Sequence, residues 1–324
     1  MPARRANTML GSPYLAVAAK PQPHPRPAGP LRSRSYGGAD FQGVLAGYAV
    51  IGPIAQGAFS QVLRAQRVSS DEEVAIKCFN RRKMTDSEDA DGMRRELDAL
   101  RSLSHKHVMR LHERIDAPSS TYAIMEYLSG GSLKLVLAQR STPLPEAAAA
   151  AIVAQLASAL AHCHERGVIH RDVKAANVLF ADSSRRAVKL VDFGFAMPLS
   201  GRSTQLMPKC GTPSHMAPEV HLHRSYDGRR ADVFALGVLC FQMLTLLLPF
   251  DAPNLEALKV RVLKGHRRPL GQSHSAGAKS LVNAMLQTSA HDRPDAARVC
   301  SHPWLPQPQH SPPLPSGSKI AGAL

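Results

Sequence analysis

The chain has 324 residues, 44% of them hydrophobic, and a formal net charge of +15. Its five cysteines are widely spaced without a CxxC pair, which argues against a disulfide framework and a cysteine-rich zinc site. The longest apolar stretches contain Gln155 and Gln242, so neither offers the roughly 20 uninterrupted apolar residues of a membrane-spanning helix. These features predict an intracellular, most simply cytoplasmic protein with no transmembrane segment.

The two ends of the chain read as disordered tails. Residues 1–47 are rich in Pro and Arg, lack hydrophobic periodicity and carry six basic side chains against one acid, Asp40. A mitochondrial transit peptide is an alternative reading of this start, although its prolines would interrupt the required amphipathic helix. Residues 306–324 have a similar character, so the predicted folded region is 48–305.

Between the tails the sequence pattern changes once. From 48 to 127, short β-rich runs alternate with turn residues and are interrupted by one helical segment near 88–103. From 128 to 305 helical patterns dominate, with short strands between them. The predicted fold class is α+β, with a small β-rich lobe containing one helix followed by a larger, mainly helical lobe.

The first candidate site is a turn of small residues between two predicted strands. Backbone N–H groups of such a turn can cover phosphates, because no large side chain stands in the way. An ordinary hairpin is the simpler explanation when this stretch is taken alone. Its residues are Ile54, Ala55, Gln56, Gly57, Ala58, Phe59, Ser60, Gln61 and Val62.

A lysine and a glutamate form the second candidate. In VAIKCF, strand alternation places Lys77 on the same face as Ala75, where it could keep its charge in solvent or hold a polyphosphate. Glu96 lies at the edge of the apolar stripe of the predicted helix, between Met93 and Leu100. Most single helical glutamates are surface residues, but a carboxylate at this edge favours a cationic partner.

Two stronger motifs follow in order. HRDVKAAN at 170–177 matches the pattern H-R-D-x-x-x-x-N, and Asp192 opens a DFG tripeptide directly after VKLV. Further matching motifs are VAIK, MEY at 125–127, GTPSHMAPE at 211–219, ADVFALGV and HDRP at 291–294. The stretch from Tyr48 to Leu305 therefore resembles a eukaryotic-type protein kinase domain, and within that family its calcium/calmodulin-dependent and energy-sensing groups.

The resemblance implies transfer of the γ-phosphoryl group of ATP to serine or threonine hydroxyls of protein substrates. Asp172 would accept the hydroxyl proton, and Lys174 would stabilise the transferring phosphoryl group, as in Ser/Thr-specific members. Asn177 and Asp192 would hold Mg²⁺ through oxygen atoms. The residues implied to contact ATP are the loop 54–62, Ala75, Lys77 with its partner Glu96, Met125, Glu126 and Tyr127.

The resemblance also implies an activation segment. Thr212 would line the acceptor site near the catalytic base. An upstream kinase would phosphorylate Ser203 or Thr204, and the phosphate would pair with Arg171, with help from Lys189.

The resemblance also implies residues with a purely structural role. Glu219 and Arg293 would form a buried ion pair, and Asp232 would lie in the buried helix after the activation segment. The family's loop has three glycines, whereas only Gly57 is in register here, which puts the affinity for the nucleotide in question.

A catalytically silent pseudokinase scaffold is the main alternative function. Nucleic acid is not an expected partner, because no reading motif or aromatic platform accompanies the basic charge, and Glu126 is a weak indication that basic peptides are accepted.

Overall fold

The small lobe is one antiparallel sheet with a helix packed on it. The structure, a computed structural model, describes residues 43–84, 87–198, 205–206, 211–222 and 225–306. The five-stranded sheet has the order β1-β2-β3-β5-β4, and all neighbouring strands are antiparallel. Its strands are β1 (Tyr48–Gln56), β2 (Ser60–Arg67), β3 (Glu73–Asn80), β4 (Leu111–Asp116) and β5 (Ser120–Glu126).

The helix of the small lobe, α1 (Ser87–Ser102), lies close to its predicted position. Met93, Leu97 and Leu100 recur on one face of the helix and are buried in the same core as the inner face of the sheet. This burial turns the neighbouring Glu96 inward as well, at 5% exposure. The predicted apolar stripe therefore sets the position of a candidate functional carboxylate.

The large lobe is mainly helical, so the predicted two-lobed α+β fold is confirmed. Its helices are α2 (Leu133–Ala138), α3 (Glu146–Glu165), α4 (Pro218–His221), α5 (Gly228–Thr245), α6 (Leu255–Lys264), α7 (Ala276–Met285) and α8 (Ala296–Cys300). Among the described residues, α3 alone is long and apolar enough to cross a membrane. Most of α3 is buried inside the lobe, and a core helix passes the same test.

Short antiparallel strand pairs lie in the segments that connect these helices. They are β6 (Val168–Ile169) with β9 (Met197–Pro198), β7 (Val178–Phe180) with β8 (Val188–Leu190), and β10 (Gln205–Leu206) with β11 (Tyr226–Asp227). Asn177 directly precedes β7, and Asp192 follows β8 by two residues. Because β7 and β8 are antiparallel, with Val178 opposite Leu190, the two polar side chains come to the same end of the hairpin.

The described part of the small lobe begins at residue 43, five residues before the predicted boundary at 48. Residues 43–47 lie on the outer face of the small sheet, and Leu45 is only 3% exposed. Leu45 packs in a second apolar cluster with Leu63 and Ile76, which are completely buried. Residues 43–47, which the sequence analysis assigned to the tail, thus lie against the small sheet, while residues 1–42 and 307–324 lie outside the described part of the chain.

Candidate active site

A narrow, mostly apolar cavity lies where β5 leads into the large lobe. Four residues predicted to contact ATP line it, namely Ile54, Ala75, Glu126 and Tyr127. The backbone N–H of Leu128 makes no hydrogen bond within the described part of the chain and is available to a ligand. Apolar walls with a few polar backbone groups suit a flat heteroaromatic ring, which is the chemistry of adenine.

Sequence reasoning missed six lining residues of this cavity, namely Ser129, Gly131, Ser132 and three apolar side chains. Met109, Leu128 and Leu179 line it but belong to no motif with a chemical signature. Leu128 was accessible to prediction, since it follows directly after MEY. Leu179 lies in the short strand after Asn177 and looked like ordinary core. By contrast, the predicted contact Met125 is 1% exposed and is not among the lining residues.

The small-residue turn covers a second cavity of about 170 Å³. Gly57, Ala58, Phe59 and Ser60 line this cavity together with Lys77, Glu96 and Asp192. Within the turn, the N–H of Gly57 donates to the carbonyl of Ser60 at 2.7 Å. Gln56 and Gln61, also predicted to bind the nucleotide, do not line either cavity, because their side chains point to the opposite side of the sheet. Ala55 and Val62 are buried at the base of the turn and pair with each other.

Lys77 and Glu96 form the ion pair that the sequence suggested. The Lys77 Nζ atom lies 2.6 and 2.8 Å from the two Glu96 carboxylate oxygens, and both side chains are buried. Burial raises the pKa of Glu96, and the charge of Lys77 opposes that rise. The pair joins β3 to α1 and places a cation at the wall of the second cavity.

Four hydrogen bonds hold the Asp172 carboxylate. Its Oδ1 accepts from the Thr212 N–H at 3.1 Å and hydroxyl at 2.9 Å. Its Oδ2 accepts from Lys174 Nζ at 2.6 Å and Asn177 Nδ2 at 2.9 Å. Burial favours the neutral acid, but the charge of Lys174 and these donors outweigh it, so the pKa of Asp172 is held below its ordinary value. Asp172 is therefore an oriented, ionised base.

The residues predicted to hold a divalent cation offer a suitable donor set. Asn177 Oδ1 is buried and has no hydrogen-bond partner within the described part of the chain, while its Nδ2 is engaged by Asp172. Asp192 lines the cavity under the small-residue turn. One free amide oxygen and one carboxylate are ligand types that hard cations prefer.

Asp232 of α5 fixes the backbone of residues 170–177, the loop that carries Asp172 and Asn177, which we call the catalytic loop. Its carboxylate accepts the N–H groups of His170 and Arg171 at 2.9 and 2.8 Å, and it is 1% exposed. Arg171 itself has a positive φ of 68°, an uncommon conformation for a residue with a side chain. Gly211 has a φ of 96° and lies against the Arg171 carbonyl, where an added Cβ would be 2.4 Å from the oxygen.

Comparison with known proteins identifies this arrangement. A family model described as the protein kinase domain matches residues 48–305. The chain belongs to the protein kinase family. CBL-interacting protein kinase 30 of Oryza sativa subsp. japonica is 36% identical to this chain over 270 residues, which make up 83% of this chain and 56% of that protein. Maternal embryonic leucine zipper kinase of Xenopus tropicalis is 34% identical over 269 residues, 83% of this chain and 40% of that protein. This chain thus spans about half the length of the curated relatives it matches.

The predicted structural ion pair is present in the kinase domain. Arg293 donates to the Glu219 carboxylate from two nitrogens at 2.7 and 3.0 Å, and the arginine side chain is completely buried. Arg293 also donates to the carbonyls of Arg230 and Gln287. The end of the activation segment is therefore tied to the body of the large lobe.

Two predictions about the activation segment fare differently. Ser203 and Thr204 lie outside the described residues. Lys189 does not support a phosphate beside Arg171, and that prediction was wrong, because Lys189 pairs at 2.8 Å with Glu126, which lines the apolar cavity. The cause is strand alternation in β8, which buries Val188 and Leu190 and sends Lys189 the other way.

The same ion pair removes the indication that Glu126 selects basic peptides. Its Oε1 accepts from both Lys189 and the N–H of Arg110, the latter at 2.7 Å. Lys189 already balances the charge of this carboxylate, which leaves it little net attraction for a basic peptide.

Proposed function

We propose that this chain is a serine/threonine protein kinase that transfers the γ-phosphoryl group of ATP to protein substrates. The observation that carries the proposal is the contact of Lys174 with both Asp172 and Thr212, at 2.6 and 2.8 Å. Asp172 would accept the proton of the acceptor hydroxyl, while Lys174 would neutralise charge on the transferring group. Thr212 holds both groups in register, which favours a serine or threonine acceptor.

The nucleotide would bind with its base in the apolar cavity and its phosphates under the small-residue turn. Lys77, oriented by Glu96, would hold the phosphates nearest the base. Asn177 and Asp192 would hold Mg²⁺, which would supply charge neutralisation to the phosphates. Asp232 and Arg171 keep the catalytic loop in place without touching the reacting atoms.

Regulation by an upstream kinase is part of the proposal. Phosphorylation of Ser203 or Thr204 would order the activation segment through Arg171, without help from Lys189. The double variant Ser203→Ala/Thr204→Ala is expected to lose the activation that a kinase-containing cell extract gives to the wild type. Activity equal to that of the treated wild type would contradict this role.

The test is transfer of labelled phosphate from Mg²⁺-ATP to a generic basic protein and to the chain itself. We expect signal in the wild type, on serine or threonine, that is lost in Asp172→Asn. The variant controls for contaminating kinases. Equal signal in both proteins, or labelled tyrosine, would contradict the proposal, and nucleotide binding without transfer would favour the pseudokinase scaffold.

A further inference from the structure

The outer face of the small sheet is divided into a covered half and an open half. Side chains two residues apart on a strand share a face, and the strand register aligns Leu63 with Ile76 and Gln61 with Cys78. Leu45 covers the first of these rows. The second row, which continues to Tyr122 of β5, is the floor of an open cavity of about 240 Å³. We call this cavity the outer pocket.

The outer pocket is cationic. Among the described residues that line it none is acidic, whereas Arg82 and Lys83 stand at its rim and are exposed. Neither forms an ion pair with a residue in the described part of the chain. Several other basic residues of the small lobe do pair, as Arg67 does with Glu72 at 3.5 Å. Two exposed cations beside a polar cavity favour an anionic ligand.

Local structure fixes the cationic rim in place. Asn80 ends β3 and its Oδ1 accepts the N–H of Arg82 at 3.1 Å, which starts one turn of 3-10 helix. The N–H of Arg81 donates to the carbonyl of Ser119 at 3.0 Å, and its guanidinium donates to the carbonyl of Pro118 at the same distance. The basic turn is thus bound to the β4–β5 connection, so a ligand meets a partly preorganised site.

We propose that the outer pocket binds a phosphorylated serine or threonine side chain of a protein segment. Phosphate carries nearly two negative charges and three acceptor oxygens, so it can use two cations and neutral donors together. Gln61 and Ser120 line the pocket as such donors. Cys78 and Tyr122 supply a less polar floor for the residues that flank the phosphate.

The outer pocket shares a wall with the cavity that would hold the nucleotide phosphates. Ala58, Phe59 and Ser60 line both cavities, one on each side of the small-residue turn. A peptide bound outside therefore changes the freedom of the turn that covers the nucleotide inside. By linkage, the nucleotide must change the affinity for the peptide by the same factor.

The test measures binding to the full chain by fluorescence polarisation. The probe is a set of nonapeptides with a fixed central phosphoserine or phosphothreonine and randomised flanks, and matched sets carry the unmodified residue or glutamate at the centre. We expect at least tenfold tighter binding of the phosphorylated set. The variant R82Q/K83Q should lose at least tenfold in affinity. R101Q, which removes an exposed cation from the end of α1, should stay within twofold of the wild type.

Four outcomes would overturn the proposal. These are equal affinity for the phosphorylated and unmodified sets, a phosphate preference that survives in R82Q/K83Q, glutamate peptides that bind as tightly as phosphopeptides, and inorganic phosphate that binds as tightly as the best peptide. The last outcome would assign the pocket to free phosphate. None of these readouts needs catalysis, so the result is independent of the proposed kinase activity.

Coupling through the shared wall has its own readout. A saturating amount of the best phosphopeptide should change the affinity for a fluorescent ADP analogue at least threefold in the wild type and leave R82Q/K83Q unchanged. An unchanged ADP affinity in the wild type, with the peptide bound, would overturn the coupling.

Discussion

The two loops that meet over the candidate active site are held in very different ways. The catalytic loop of the large lobe is fixed by buried polar contacts, since Asp232 holds its backbone and three side chains hold Asp172. The small-residue turn of the other lobe is closed mainly by the bond from Gly57 to Ser60 and by the exposed amide of Gln56. The large lobe presents polar groups in fixed positions, whereas the small lobe covers them with a turn that can adapt its conformation.

This difference follows from the chemistry. A general base must lie within hydrogen-bond reach of one proton, so its position tolerates little error. Phosphates presented to backbone N–H groups can be covered in several ways. Substitutions in the fixed region are therefore expected to have large effects, and substitutions in the covering turn small ones.

The largest effect is expected at the buried ion pair between Arg293 and Glu219, which ties the end of the activation segment to the large lobe. Arg293→Met leaves the Glu219 carboxylate and two carbonyls without their donor, so the free energy of unfolding should fall by about 3–5 kcal/mol in urea denaturation. The control is Arg268→Met, which breaks an exposed pair with Asp251 at 3.4 Å and should cost about 1 kcal/mol or less. Similar losses of unfolding free energy in both variants would contradict the distinction between buried and exposed ion pairs.

The second prediction concerns Lys77, the cation at the wall of the cavity under the small-residue turn. Lys77→Met should lower kcat/KM by about 100-fold, equivalent to ~2.7 kcal/mol, because it removes charge from the phosphate cavity and frees Glu96 from its partner. Steady-state transfer rates over a range of ATP concentrations measure this loss. Lys106→Met, at an exposed lysine outside the cavity, serves as the control. A loss below about fivefold would show that Lys77 does not act on the nucleotide.

The third prediction tests the close approach of two backbone segments. Gly211→Ala should reduce kcat by about 10-fold or more, because a positive φ and a Cβ near the Arg171 carbonyl displace the segment that carries Thr212. Gly52→Ala, where an added Cβ meets nothing within 4 Å, should leave kcat within about twofold of the wild type. Full activity of Gly211→Ala would show that the segment has room to relax.

The sequence indicated the polar groups of the candidate site better than the apolar residues around them. The spacing of Lys77 and Glu96, and the motifs around Asp172 and Asp192, carried enough chemistry to predict the site, because each needs a particular residue type. The apolar walls at Leu128 and Leu179 could have been filled by many residues, so no pattern singled them out. The direction of the Lys189 side chain depended on which face of β8 is turned toward Glu126. Leu45 was assigned to the tail because a single apolar residue has no periodicity.

A fourth prediction concerns His107, which joins the two lobes through a hydrogen bond. His107 is bonded to the Val188 carbonyl at 2.9 Å, and burial, with Lys106 and His105 nearby, lowers its pKa to about 4. Because the unfolded chain binds the proton more readily, stability should be lost as pH falls from about 6.5 toward 4, by on the order of 1 kcal/mol. Urea titrations of wild type and His107→Gln at pH 7 and 5 measure this. An identical pH dependence in the two proteins would contradict the assignment to His107.

The smallest effect is expected in the covering turn itself. Ala55 is 4% exposed and pairs with Val62 at the base of the turn, without a positive φ. Replacing it with glycine, the residue the family pattern favours, adds backbone freedom that binding must remove, at a cost of about 0.5–1 kcal/mol. Ala55→Gly should therefore raise the KM for ATP by about two- to fivefold with kcat unchanged. Ala117→Gly, at a buried alanine in the turn between β4 and β5, should leave the KM unaltered. A lower KM in Ala55→Gly would mean that the Ala55 methyl group obstructs the phosphates, so the turn would have to be counted with the region whose positions are fixed.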